Sequence, residues 1–235
     1  MRQAISPALT CLVVGASSGI GREIAVLFAR DGAKVTAVAR REERLLQLQS
    51  QLNSEGHEIQ VRVADATDPE ALTGLGDVDI LVYATGTNIP DRSLQRLTPD
   101  LWEMMIKVNL SGAYYSTQAV LPAMRARKAG LIFYISSISS ISADQSGASY
   151  QAAKRGIAGI AAAIRVEEKD NGIRTCLICP GLTDTDLIEK RPVRPTPEML
   201  AKALKPEDVA DVVLAVAKLP ARAWVPEVQI MPTEL

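Results

Sequence analysis

"VVGASSGIGREIA", residues 13–25, carries the reading that decides the fold. An apolar, β-branched run ends at Gly15, and a pattern suited to a helix takes over by Gly19. Glycines at 15, 19 and 21 permit a tight turn and let backbone N–H groups approach an anion at the helix N-terminus. The spacing is GxxxGxG rather than the GxGxxG of the general dinucleotide fingerprint. Turn glycines alone would explain such a triplet elsewhere in a chain. After the first strand of an alternating pattern it reads as a pyrophosphate loop made by Gly15, Ser17, Ser18, Gly19, Ile20 and Gly21.

The alternation extends outward from this loop. Residues 9–15 read as a strand and residues 19–30 as a helix, followed by a strand at 34–39 and a helix at 41–54. Further strands are expected at 58–65, 78–84 and 130–137, with one long helical pattern across 99–127. A helix over about 149–169, a strand at 173–179, a helix at 206–219 and a last strand within 226–232 complete the chain. Strands and helices in this order require crossovers, hence a parallel sheet covered on both faces. Several strands are apolar on both sides, as such burial demands. The expected fold is α/β: a doubly wound, Rossmann-like parallel sheet of about seven strands. No repeat or linker divides it, so residues 1–235 are expected to form one domain. Prolines at 192, 195 and 197 bar a continuous helix there. Lying beyond a strand end, residues 183–205 are expected to form a substrate lid.

Composition excludes several function classes. The chain has 235 residues, 47% of them hydrophobic, and 26 basic residues against 27 acidic ones leave a formal net charge of −1. Without a basic block, nucleic acid is not an expected partner. The opening "MRQAISPAL" lacks an apolar leader core, and no run approaches the roughly 18 apolar residues of a membrane span. The expectation is a soluble, cytoplasmic protein without membrane contact. His57 is the one histidine and has no ligand spacing around it, so neither a metal site nor histidine-based catalysis is expected. Cys176 and Cys179 form a CxxC, but residues three apart on a strand face opposite ways. With Cys11 they read as small buried residues rather than a redox pair.

The second strand indicates which nucleotide. NAD sites usually offer a carboxylate to the ribose 2′-hydroxyl about twenty residues beyond the loop. Here "AVARREER" offers Arg40 and Arg41 instead, and guanidinium suits the 2′-phosphate of NADP. Arg40, immediately beyond the strand, is favoured for that contact, and a solvated charge is the other reading of Arg41. Asp65, ending the third strand, could accept from an adenine amino group, with a turn or helix-cap role open beside it. In "SYQAAK", residues 149–154, Tyr150 and Lys154 stand one turn apart on one helix face. A free phenol, with pKa about 10, is a poor base near neutrality. A neighbouring ammonium has the sign that lowers it. Ser137, at a strand's carboxyl end, could hydrogen-bond a substrate oxygen.

With these residues assembled, the chain resembles the short-chain dehydrogenase/reductase family nearly end to end. The glycine motif matches Gly15-Ala-Ser-Ser-Gly19-Ile-Gly21, and the adenine-side aspartate matches Asp65. The helix asparagine matches Asn109 in "VNLSG", the serine Ser137, and the YxxxK motif Tyr150 to Lys154. Gly86, Pro180, Gly181 and Thr185 match further cofactor-contacting positions. The resemblance implies an NADP(H)-dependent oxidoreductase interconverting a carbonyl and a secondary alcohol. Tyr150 would be the acid/base and Ser137 would stabilise the substrate oxygen. Lys154 would lower the pKa of Tyr150 and bond the nicotinamide ribose, and Asn109 would hold a water in a relay to Lys154. There are departures: Val14 replaces a threonine, Cys179 an asparagine, and "YATG" (83–86) stands for the usual NNAG, removing an asparagine brace.

The segment "AAKRGIAGIAAAI", residues 152–164, is small or apolar almost all round, which predicts a homo-oligomer packed through it. The resemblance implies a tetramer or dimer. Other readings are a catalytically silent nucleotide-binding or scaffold protein on the same fold, and an NAD-preferring dehydrogenase. A nucleotide-sugar epimerase or dehydratase would call for a larger substrate domain. Ile141, Gln145, Leu182 and Leu187 are expected to line a pocket for a small carbonyl or alcohol. Lys190, Arg191 and Arg194 read as solvated charges, with attraction of an acidic substrate as the alternative.

Overall fold

The computed structural model of the protein describes residues 9–234. The first eight residues, read above as lacking an apolar leader, lie outside the described residues. Seven parallel strands form one sheet: β1 (Thr10–Val14), β2 (Lys34–Ala39), β3 (Ile59–Val63), β4 (Ile80–Tyr83), β5 (Gly130–Ile135), β6 (Ile173–Pro180) and β7 (Glu227–Ile230). Their order across the sheet is β3-β2-β1-β4-β5-β6-β7. The order reverses between β1 and β4, and in such sheets a crevice opens there beyond the carboxyl ends of the strands.

The strand side chains divide the core in two. Cys11 and Val13 of β1 enter one cluster, with Ile24, Phe28, Leu45, Leu48, Val209 and Val213. These come from α1 (Gly19–Arg30), α2 (Glu42–Ser54) and α7 (Pro206–Ala217). Leu12 and Val14 enter the other, with Val120, Met124, Ile157 and Ile164. Those come from α4 (Gly112–Ala126) and α5 (Ala148–Glu167). Burial on both faces explains why β1 and β4 read as continuous apolar runs. Cys176 joins the first cluster and Cys179 the second, so the thiols point to opposite faces as their spacing predicts. All three cysteines are free and buried, and burial pushes the Cys176 thiol up to about 12.

Two local expectations change. The long pattern over 99–127 is not one uninterrupted α-helix: α3 (Pro99–Ile106) passes into a π-helical turn, Lys107–Ser111, before α4. Wider turns of this kind are often found where a side chain must be re-aimed, and Asn109 lies within this one. Past β6, a 3-10 turn, Asp186–Lys190, precedes the short α6 (Pro197–Lys202), whose first turn is capped by Thr196 accepting from the Met199 amide. Thr183 and Leu204 bridge the base of this segment, fastening its two ends together. Among the described residues, no helix is long and apolar enough to cross a membrane, and no group of three or more His, Cys, Asp or Glu could hold a metal ion.

Candidate active site

The glycine loop is shaped by contacts that leave no room for side chains. Gly15 has φ +100°, and a Cβ there would come within 2.7 Å of the Thr85 amide nitrogen. At Gly21 a Cβ would lie 2.4 Å from the Gly15 carbonyl oxygen, so α1 and the loop touch backbone to backbone. Gly19, φ +55°, faces Thr185, whose Cγ2 would be 3.1 Å from an added Cβ. Residues 15–21 therefore form a cradle at the α1 N-terminus, open to the cleft and closed over by Thr185. The cradle's shape and its free N-terminal amides suit a pyrophosphate.

Beside the loop, the second-strand arginines take different places. Arg41 donates to Ser17 Oγ through Nε (3.1 Å) and Nη2 (2.8 Å), and to Ser18 Oγ (2.6 Å). Arg40 is more exposed and lies 3.7 Å from the Asp65 carboxylate. Asp65 accepts from the Thr67 amide at 2.9 Å, an Asx-type turn that holds its carboxylate below the usual range even against its partial burial. Arg41, which the sequence leaves open as a solvated charge, is thus fixed to the loop, whereas Arg40 sits at its rim. Both line a cavity with Gly15, Ser17, Ser18, Asp65 and Gly86.

A second cavity, about 360 Å³, continues from Ser18, Gly19, Ile20 and Gly21 to Pro180, Gly181 and Thr185, and ends at Ser137, Tyr150 and Lys154. Leu182 and Leu187 line it as expected; Ile141 and Gln145 do not, because their loop turns them to the surface. Ser137 caps a 3-10 turn (Ile138–Ser140) at the end of β5 and hydrogen-bonds the Tyr150 side chain. Lys154 is 3% exposed; its Nζ donates to the Ile135 carbonyl at 2.9 Å and lies 5.6 Å from the Tyr150 ring centroid. Asn109 is fully buried, donating to the Met105 carbonyl (2.9 Å) and accepting from the Thr87 amide (2.9 Å). Gly86 lies between Asn109 and Lys154: a Cβ added there would be 3.4 Å from Asn109 Oδ1 and 3.6 Å from Lys154 Nζ.

The electrostatics of the pair are set by burial. Burial pushes the Tyr150 phenol up to about 12; the Ser137 bond and the charges of Arg92 and Arg191 oppose the rise, and Asp144 adds to it. Burial likewise brings the Lys154 ammonium down to about 8. The expected lowering of Tyr150 counts the Lys154 ammonium together with the positive charge of an oxidised nicotinamide; the chain's own groups by themselves do not produce it. Removal of the phenol from water outweighs the favourable charges, and the ammonium bonds a backbone carbonyl instead of the hydroxyl.

Four contributors lack a sequence signal of their own. Ser139, which reads as an ordinary loop serine, donates to Asp144 Oδ2 at 2.5 Å. Its amide donates to Ser137 Oγ at 3.2 Å, which leaves the Ser137 hydrogen for the cleft. Asp144 therefore fixes Ser139, and through the Ser139 amide it positions Ser137. Arg92 reaches the same wall from the loop after β4. The brace expected to be missing from "YATG" is supplied by Tyr83, whose hydroxyl donates to the Val108 carbonyl at 2.7 Å and ties β4 to the π turn.

Fold and cleft together define a Rossmann-like oxidoreductase. The chain belongs to the short chain dehydrogenase family, whose sequence pattern matches residues 9–194. It is 31% identical over 229 residues to an uncharacterised oxidoreductase of Staphylococcus aureus strain USA300, covering 94% of this chain and 96% of that one. The crystal structure of gox2181 superposes with a TM-score of 0.90 at 26% identity, over 99% of this chain and 97% of the other. A closed serine dehydrogenase complexed with NADP+ gives a TM-score of 0.86 at 29% identity, with 94% of each chain covered.

Proposed function

We propose that the protein is an NADP(H)-dependent oxidoreductase interconverting a carbonyl and a secondary alcohol. The observation that carries this reading is one continuous cleft: arginine-lined at the end near Asp65, backbone-lined at the glycine loop, and closed by Ser137, Tyr150 and Lys154. Arg41, anchored on Ser17 and Ser18, would meet the 2′-phosphate, with Arg40 at the rim. The loop amides of residues 15–21, with Thr185, would hold the pyrophosphate, and Gly86, Pro180 and Gly181 would flank the nicotinamide half. That the serine dehydrogenase neighbour was solved with NADP+ supports the choice of nucleotide.

When bound, the dinucleotide supplies or accepts the hydride. The chain supplies the proton. At neutral pH Tyr150 holds its hydrogen firmly, so in the reducing direction it donates to the substrate oxygen while Ser137 steadies the charge developing there. Lys154, ammonium below about pH 8, would orient the ribose and replenish the proton through a water held near Asn109. Residues 183–205 would form the lid. The outer line of α5, with Gly159, Ala163 and Val166 exposed, would pack against a second copy in a dimer or tetramer.

Fluorescence titration with NADPH and NADH tests the nucleotide. NADPH should bind roughly tenfold or more tightly, and Arg41→Ser should erase most of the difference by removing a charge-assisted contact. Equal affinities would sink the NADP assignment. A panel of ketones, followed by loss of dihydronicotinamide absorbance, separates an enzyme from a silent binding protein.

A further inference from the structure

The substrate end of the cleft carries more positive charge than the proposed proton transfer needs. Arg92, Lys190 and Arg191 stand on its wall with Tyr150. The carboxylates there are Asp144 and Asp186, and Asp186 is held by Arg44 at 2.6 Å, with Arg41 beside it. Asp144 alone is left to face the three cations.

The cations are not equivalent. Lys190 donates to Thr87 Oγ1 at 2.6 Å. Arg194, further along, pairs with Glu189 and does not line the cavity. Arg92 is positioned: Nε donates to the Ile89 carbonyl (2.9 Å) and Nη2 to the Lys190 carbonyl (2.8 Å). Its stem lies against Gly147, where a Cβ would come within 2.8 Å of its own, so it is keyed to the start of the helix bearing Tyr150. These bonds use one side of the fork and leave Nη1 unspent. The Arg191 guanidinium, next in the chain to the carbonyl that Arg92 holds, forms no hydrogen bond or ion pair among the described residues. The two guanidiniums repel one another, and both lie within electrostatic reach of the Tyr150 hydroxyl.

We propose that Arg92 and Arg191 form an anion subsite that receives a carboxylate carried by the substrate, so that the reacting group belongs to a hydroxy acid or its oxo acid. This rests on the oxidoreductase reading above. A carboxylate offers two oxygens to two guanidiniums and relieves their repulsion. In the oxidative direction the phenol of Tyr150 first gives its hydrogen to water; the carbinol carbon then loses a hydride, with its two electrons, to the oxidised dinucleotide, and the hydroxyl proton passes to the Tyr150 phenolate. The products are the oxo acid, the reduced dinucleotide and one proton released to water.

The test uses the full chain with excess NADP+ and, separately, NAD+. Substrates are lactate, 3-hydroxybutyrate and 4-hydroxyvalerate with their methyl esters, which place the carboxylate at increasing distance from the carbinol. For at least one length, the acid should exceed its ester in kcat/KM by roughly tenfold, and this ratio should fall toward one in Arg92→Gln and in Arg191→Gln. Arg92→Gln also loosens the segment it holds; Arg191→Gln leaves those bonds in place and keeps the comparison interpretable. A wild-type ratio at or below one at every length, or a ratio that neither substitution moves, overturns the subsite. Calorimetric titration of the dinucleotide-saturated protein with the same acids and esters separates the two ideas. Acid binding tighter than ester binding and weakened by Arg191→Gln, with no turnover of either, sinks the redox reading and keeps the subsite. Equal binding of acid and ester removes the subsite whatever the turnover.

Discussion

At the glycine-loop end of the cleft the backbone sets most of the shape: Gly15 presses on the Thr85 amide and Gly21 on the Gly15 carbonyl, while Gly19 leaves room for the Thr185 side chain. At the other end the wall is made by side chains from three loops, with Arg92 after β4, Asp144 after β5 and Arg191 after β6. The first end tolerates little change because almost nothing but glycine fits it. The second is adjustable one residue at a time, which is how one scaffold comes to serve many substrates. Tyr150 and Lys154 lie where the two constructions meet.

The sharpest way to break this comparison is at the junction. Tyr150→Phe should cut turnover by at least roughly a hundredfold, the usual share of a positioned acid/base, while leaving the backbone-made end and its NADPH affinity intact. Turnover near that of the natural protein, followed by absorbance, would move the proton donor elsewhere.

Lys154 tests what the junction costs the fold. With its pKa held at about 8, the folded chain binds fewer protons at this position than the unfolded chain between pH 8 and the usual value of 10.5. Stability therefore rises with pH across that window, and below it the buried ammonium costs about 3 kcal/mol. Lys154→Met should raise the melting temperature at pH 7, and its advantage should shrink as pH climbs past 8. A pH-independent difference would contradict the burial argument. In the natural protein, kcat/KM for carbonyl reduction should decline above about pH 8 as the ammonium is lost.

The backbone end is probed by Gly21→Ala. The new methyl would meet a carbonyl that cannot step aside, so about 1–3 kcal/mol of stability should disappear along with dinucleotide binding. Unchanged melting would show that the loop has slack. The smallest effect is expected at Tyr83→Phe, which leaves the Val108 carbonyl without its partner, for about 1 kcal/mol by denaturant titration. A null result would mean that the π turn is held without this brace.

The legibility of the sequence follows the same division. The glycine motif, the YxxxK pair and the alternation of strands and helices are local patterns, and the structure reproduces them with element ends shifted by a few residues at most. Asn109 reads as a plain helix residue until the π turn carries it beside Gly86. From "ARRE" the favoured partner of the 2′-phosphate is Arg40, immediately beyond the strand; only packing shows that it is Arg41 whose side chain returns to Ser17 and Ser18. Arg92 in "PDRSLQ" and Asp144 in "SADQSG" belong to no pattern at all; Asp144 lies six residues before Tyr150, but Arg92, 58 residues before it, reaches the same wall only through the meeting of two distant loops.

By itself the sequence determined the parallel sheet, the loop at its switch point and the pairing of phenol with ammonium, because each depends on periodicity or on glycine's missing side chain. The tertiary structure alone decided how deeply that pair is buried and which charges line the pocket. Both depend on how far water is excluded and on which distant charges face one another, and neither quantity is written in any short stretch of residues.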